Sequence, residues 1–372
     1  MPIIVYIFLT VIVCFVASLR PGDSLREAEQ EDNSGAFAGF PTANKVPWIN
    51  LTIITLLLSI YSKTLGITGD LVDRVNYAFS FLYRYPASYH SLEALWGEKT
   101  EPGFILLIQL IRRFTRDPDW FFFVTTFLSA GISFYVLYKI SNKYVAGIAL
   151  FMLSLYFFQS TYLIRQSLAV AFANVAVMNL LNDKRMKYFI FTGIACMFHS
   201  TAFIMLPVYF VFRYARTKRI YVILVLFFIV LFLASGPLFA TLIPGLPYVG
   251  QYIVLENFEY ALGDGSPAAI IKGFPFYLIT FLALLNREAL RVKMKHADIF
   301  ILSSLLYSMS WLLTYNMYWL FRIGWFLMLP TLVLIPELFK VIKDKKERMF
   351  LGSIFILSLL FITFRQLVLE LF

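Results

Sequence analysis

The sequence predicts an all-α integral membrane protein, and three observations predict it. Of its 372 residues 60% are hydrophobic, with a mean hydropathy of +0.76. Apolar runs recur from one end of the chain to the other, and lysines and arginines collect in the turns between them. A membrane-crossing helix needs about 20 mostly apolar residues, and only helices and closed barrels satisfy their own backbone in lipid. The runs are continuous rather than alternating, which excludes the barrel. A net charge of +10 on a soluble chain would point to nucleic acid. Here the positive-inside rule accounts for it, so the bilayer is an expected partner and nucleic acid is not.

Residues 3–18 form the first apolar run. They have no basic start and no small-residue cleavage site before Arg20, so they read as a retained span rather than a signal peptide. A polar loop with Glu27, Glu29, Glu31 and Asp32 leads to a second span over 48–62. Residues 63–118 are too polar for lipid and too varied for a linker, and are expected to form a long outer loop with short interfacial helices. Spans follow at 119–138, 144–160 and 166–181, with basic turns at Lys139 and Lys143 and at Lys184, Arg185 and Lys187.

The run 187–212 is bounded by basic clusters on both sides. A single crossing would put those clusters in opposite compartments. A broken pair of helices, turning at Phe198-His199-Ser200-Thr201, keeps them together and is the expected form. Such a break is tolerated at depth only where protein or a watery cavity covers it. A run over 220–240, a second outer loop at 236–272, and spans near 273–286, 298–316, 321–339 and 349–368 complete a single polytopic domain over 1–372. The assignment gives about 11–12 passes with both termini outside.

In that orientation the polar groups that do not mark inner turns fall on the outer side: Asp70, Asp73, Tyr77, Glu101, Arg165, Gln166, His199 and Arg322. An ionisable group within the membrane is costly and points to function. Two guanidiniums can grip a diphosphate through forked hydrogen bonds, and a carboxylate or imidazole can take a proton from a hydroxyl. The set therefore suits transfer of a group from a diphosphate donor to an alcohol. Each residue also has a plainer reading. Arg165 would snorkel, His199 would donate to a helix carbonyl, Asp70 or Asp73 would cap a helix, and Glu101-Pro102 would open one. Cys14 and Cys196 lie within apolar runs and suit neither a disulfide nor a metal. No metal spacing, phosphate-binding glycine loop or nucleophile elbow occurs, and neither a metal nor a cofactor is expected.

Five pieces in chain order resemble the EpsG-like family of polysaccharide polymerases, functional relatives of the Wzy O-antigen polymerases. They are Gly69-Asp70 with Asp73-x-x-x-Tyr77-x-x-x-Phe81, Glu101-Pro102-Gly103-Phe104, Arg165-Gln166-Ser167-Leu168-Ala169, Phe198-His199-Ser200-Thr201-Ala202, and Arg322 with the aromatics after it. Where the family has an arginine and glycines before its first acidic residue, this chain has Lys63 and Gly66.

The resemblance implies a GT-C-like glycosyltransferase of the bacterial inner membrane with its site on the periplasmic or outer side. It would move a growing glycan from an undecaprenyl-diphosphate carrier to a lipid-linked repeat unit, with a chain-length regulator as an expected partner. His199, Asp73, Asp70 and Glu101 are then the catalytic candidates, and Arg165, Gln166, Arg322 and Tyr77 the substrate-binding ones. Rival readings are a transferase adding one sugar from a polyprenyl-phosphate donor and a flippase for lipid-linked oligosaccharide. A flippase calls for charges lining a path on both sides of the midplane.

Overall fold

The computed structural model describes residues 2–19, 48–65, 72–85, 100–154, 156–214, 217–242, 267–315 and 320–371. Among these residues the regular structure is entirely helical, and the chain is an integral membrane protein of the all-α class. Four helices are long and apolar enough to cross a membrane: Pro118–Ile140, Ile164–Leu181, Phe321–Val341 and Lys345–Arg365. A fifth crossing results if Ile270–Leu285 and Arg287–Lys293, bent by 79°, count as one. The expected crossing over 220–240 falls on the 25-residue helix Lys218–Leu242, and others fall on shorter helices, such as Val5–Ser18, Tyr144–Leu153 and Ala297–Leu313.

The chain divides into two compact units, Met1–Met205 with Leu359–Phe372, and Leu206–Ser358. The first unit contains α1 (Pro2–Ser18), α2 (Trp48–Thr64), α3 (Val72–Phe79) and a π turn over Ser80–Arg84. It continues with α4 (Pro102–Arg112), α5 (Pro118–Ile140), α6 (Tyr144–Leu153), the short α7 (Tyr156–Ser160), α8 (Ile164–Leu181) and α9 (Arg185–Phe198). Helix α5 starts cleanly because Asp117 accepts from the Asp119 N–H at 2.9 Å and Pro118, which has no N–H to lose, takes the first helical position. Helix α8 packs on both α5 and α9. Its alanines at 169, 171, 173 and 176 are wholly buried, as expected where small residues let helices approach in lipid.

After α9 the chain turns at His199, runs through a 3₁₀ segment, Ser200–Ile204, and enters α10 (Met205–Tyr214). The run 187–212 is thus broken, as its charge pattern requires. A straight helix would separate Tyr188 from Met205 by about 25 Å. Instead the Tyr188 hydroxyl donates to the Met205 carbonyl at 2.6 Å, so the chain folds back on α9.

The second unit contains most of α10, then α11 (Lys218–Leu242), α12 (Pro267–Leu285), α13 (Arg287–Lys293), α14 (Ala297–Leu313), α15 (Phe321–Gly324), a 3₁₀ turn at Trp325–Leu327, α16 (Met328–Val341) and the start of α17 (Lys345–Leu371). Helix α11 continues through Gly236 and Pro237, where the sequence reading starts a loop. In an apolar setting, leaving backbone groups unpaired costs more than poor helix propensity. Of the rest of the expected loop, 243–266 lies outside the described residues, and 267–272 form the start of α12 rather than a loop. Thr280 bridges α12 to α14, exchanging hydrogen bonds with the Ser304 and Ser308 hydroxyls at 2.7 Å each. Asp298 ties three helices together, accepting from Tyr221 at 2.8 Å and from Arg287 Nε at 2.7 Å.

Candidate functional site

Glu101 lies at the head of α4 with Pro102 in the first helical position, which is the helix start its sequence predicts. Its side chain does not cap that helix. One carboxylate oxygen, Oε2, accepts from Arg165 Nη1 at 2.7 Å. The other, Oε1, accepts from the Ser200 backbone N–H at 2.9 Å and lies 3.5 Å from His199 Nδ1. Three segments distant in sequence therefore meet on one carboxylate.

Each contact has a local cause. Arg165 occupies the first turn of α8, where the helix dipole already favours negative charge, so the Glu101 carboxylate is favoured twice. The break after α9 leaves backbone donors without helical partners. Glu101 satisfies that of Ser200, and the His199 ring accepts that of Thr201 at 3.4 Å. Gly103 makes the approach possible, because a Cβ there would lie 2.8 Å from the Met197 carbonyl oxygen and 2.9 Å from the Met197 Cβ. Only glycine lets α4 lie this close to the end of α9.

Beside this cluster is a cavity of about 180 Å³ lined by Asp73, Asn76, Tyr77, Ser80, Arg84, Tyr85, Thr100, Phe104 and Arg165. Asp73 and Tyr77, four residues apart on α3, face it together. The Tyr77 ring meets Phe104 edge-on at 5.6 Å, and the Arg165 guanidinium lies 5.9 Å from that ring. Tyr85, in the cavity wall, and Phe81, on the other side of the same segment, are fully buried. Phe81 stacks on Phe121 of α5 at 5.0 Å.

Of the residues singled out by sequence, Asp73, Tyr77, Glu101, Arg165 and His199 are thus brought together in the first unit. Gln166 is buried in α8 at 2% exposure and is not among the residues lining the cavity. Arg322 belongs to α15 of the second unit, with its guanidinium 6.0 Å from the Phe321 ring. Asp70 lies outside the described residues. Among the described residues no group of three His, Cys, Asp or Glu side chains is placed to hold a metal.

Two residues near the site escaped the sequence reading. Arg74 is completely buried. It donates to the Thr161 carbonyl at 2.8 Å and the Ser62 carbonyl at 2.9 Å, and lies over the Phe122 ring at 3.7 Å. It pins α3 to the turn that precedes Arg165. Burial lowers its pKa to about 10, so it stays charged at neutral pH. Arg84 lines the cavity itself. The signal for it was helical spacing: Asp73, Tyr77, Ser80 and Arg84 recur at intervals of four, three and four, which is one helix face.

No curated protein and no solved structure matches the chain. A family model described as "EpsG family" matches residues 46–371, a stretch that contains the Glu101 cluster, the cavity and Arg322. That match covers most of the chain, and the protein belongs to the EpsG family.

Proposed function

We propose that this protein is a repeat-unit polymerase of polysaccharide biosynthesis, joining O-antigen, capsular or exopolysaccharide units at the outer face of a bacterial inner membrane. Membership of the EpsG family suggests a polymerase-type glycosyltransferase. The observation that carries the finer reading is the Glu101–Arg165 pair beside a cavity that also presents Asp73 and Tyr77. The donor is a glycan on undecaprenyl diphosphate, and the acceptor is a hydroxyl of a lipid-linked repeat unit.

In the reaction the acceptor hydroxyl attacks the anomeric carbon, the bond from that carbon to the diphosphate oxygen breaks, and the diphosphate leaves with the bonding pair. The hydroxyl proton passes to Asp73 or His199, the two groups with the right chemistry for a general base. Charge growing on the leaving diphosphate is met by Arg165, whose planar fork suits phosphoryl oxygens; Arg322 keeps the substrate-binding role that the family resemblance implies for it. Glu101 acts as a positioning residue, because both its oxygens are engaged in holding Arg165 and the His199–Ser200 break. Tyr77 and Gln166 serve sugar or network contacts, and a chain-length regulator is the protein partner.

The test is deletion and complementation with the glycan resolved on a gel. A polymerase deletion collapses a ladder of chain lengths to a single repeat unit, and the wild-type chain restores the ladder. Loss of one sugar from every unit would identify a single-sugar transferase instead.

A further inference from the structure

We infer that Arg84 is a second cation of the substrate site, which contacts the diphosphate of the polyprenyl carrier together with Arg165; this rests on the polymerase reading above. The first argument is charge. Among the described residues, the charged groups that line the cavity are Asp73, Arg84 and Arg165, and Glu101 is ion-paired to Arg165. The Arg165–Glu101 pair is neutral as a whole, so without Arg84 the set would be net negative through Asp73. A diphosphate would then meet repulsion in a site that is only partly solvated, where charge interactions are weakly screened. Arg84 brings the set to neutrality and supplies a forked donor for phosphoryl oxygens.

The second argument is placement. Arg84 ends the π turn, which closes with the Tyr85 N–H bonded to the Ser80 carbonyl at 3.2 Å; such wide turns are frequent at functional sites. The turn is anchored at its end, where Arg112 of α4 donates to the Tyr85 carbonyl at 3.2 Å. Contacts from α4 at Phe104 and Arg112 to Tyr77 and Tyr85 keep the same eight-residue spacing on both segments, so the two run side by side and in parallel. This framework holds one wall of the cavity in place. Arg84 is exposed whereas the Arg165 side chain is only 21% exposed, so a headgroup entering from outside meets Arg84 before Arg165. Asn76, Ser80 and Thr100 on the same cavity provide the hydrogen-bonding groups that a sugar next to the diphosphate requires.

The experiment uses the full chain, purified and reconstituted in lipid nanodiscs, with farnesyl diphosphate and farnesol as probes that carry no sugar. Arg84→Gln is expected to weaken farnesyl diphosphate binding at least tenfold while leaving farnesol unchanged, with Arg84→Lys intermediate. In turnover, Arg84→Gln raises KM for the lipid-linked repeat unit more than it lowers kcat. Arg113→Gln, which removes an equal charge from the exposed end of α4, leaves binding and turnover as in the wild type. Diphosphate binding equal to the wild type in Arg84→Gln, or equal losses for the diphosphate and the alcohol, would overturn the inference. An effect seen only with substrates bearing an acidic sugar would overturn it too, moving Arg84 to a sugar carboxylate. If Arg84→Gln weakens the diphosphate but the wild type never builds a ladder, the polymerase reading fails and this site stands. A ladder that ignores Arg84→Gln has the opposite meaning.

Discussion

Glu101 and Arg165 are 64 residues apart in the chain, and their side chains meet at 2.7 Å. The pair is mostly shielded, with side-chain exposures of 10% and 21%, and the second oxygen of Glu101 holds the backbone at Ser200. Disturbing either partner therefore affects both the guanidinium and the broken helix.

Glu101→Gln is expected to keep an acceptor for the Ser200 N–H and to lose the charge that orients Arg165. Polymerization should fall at least tenfold, with the protein still inserted in the membrane. Ladder intensity, normalised to protein level on a blot, checks it; an unchanged ladder would remove the pair from the mechanism.

Arg165→Lys and Arg322→Lys should each lose most activity. Lysine keeps the charge but replaces a planar fork with a point donor, so a snorkelling role would survive the change and diphosphate contact would not. Loss of one charge-assisted contact is worth roughly 3 kcal/mol, or about a hundredfold in rate. Arg213→Lys, in the last turn of α10, is the control and should be silent. Full ladders from both variants would return Arg165 and Arg322 to a structural role.

Gly103→Ala probes the close approach of α4 to α9. The added methyl would lie 2.8 Å from the Met197 carbonyl oxygen, a backbone atom that has little room to yield. Overpacking of this kind costs about 1–3 kcal/mol, and it pushes Glu101 away from Ser200. A lower Tm in detergent together with reduced ladder length is expected, whereas Gly193→Ala, with nothing within 4 Å of its Cβ position, should match the wild type.

Arg74→Met should destabilise the protein more than any substitution at the cavity. It leaves the Ser62 and Thr161 carbonyls without this donor in a buried site, at about 1–3 kcal/mol each. Thermal unfolding of the purified protein measures the loss. Arg74→Lys should recover part of it, and equal Tm values for wild type and Arg74→Met would show that the network is dispensable.

The sequence by itself determined the all-α membrane class, because continuous apolar runs and the backbone's need for hydrogen bonds in lipid leave few alternatives. It also determined the helix start at Glu101-Pro102, through a residue that has no N–H to lose, and the break at His199, where charge parity excluded a straight crossing. These are local properties, readable from spacing and composition. The tertiary structure alone decided which distant residues meet. That Glu101 turns from its own helix to Arg165 and Ser200 follows from a glycine contact between α4 and α9, and no periodicity encodes it. Arg74 looked like one more polar residue on a short helix until packing enclosed it among Ser62, Thr161 and Phe122. Arg84 shared a helix face with Asp73 in the sequence, but only the folded wall of α3, α4 and α8 turns that face into a cavity. Contacts between segments arise from the way helices stack and reverse, and a linear pattern of residue types carries that information only indirectly.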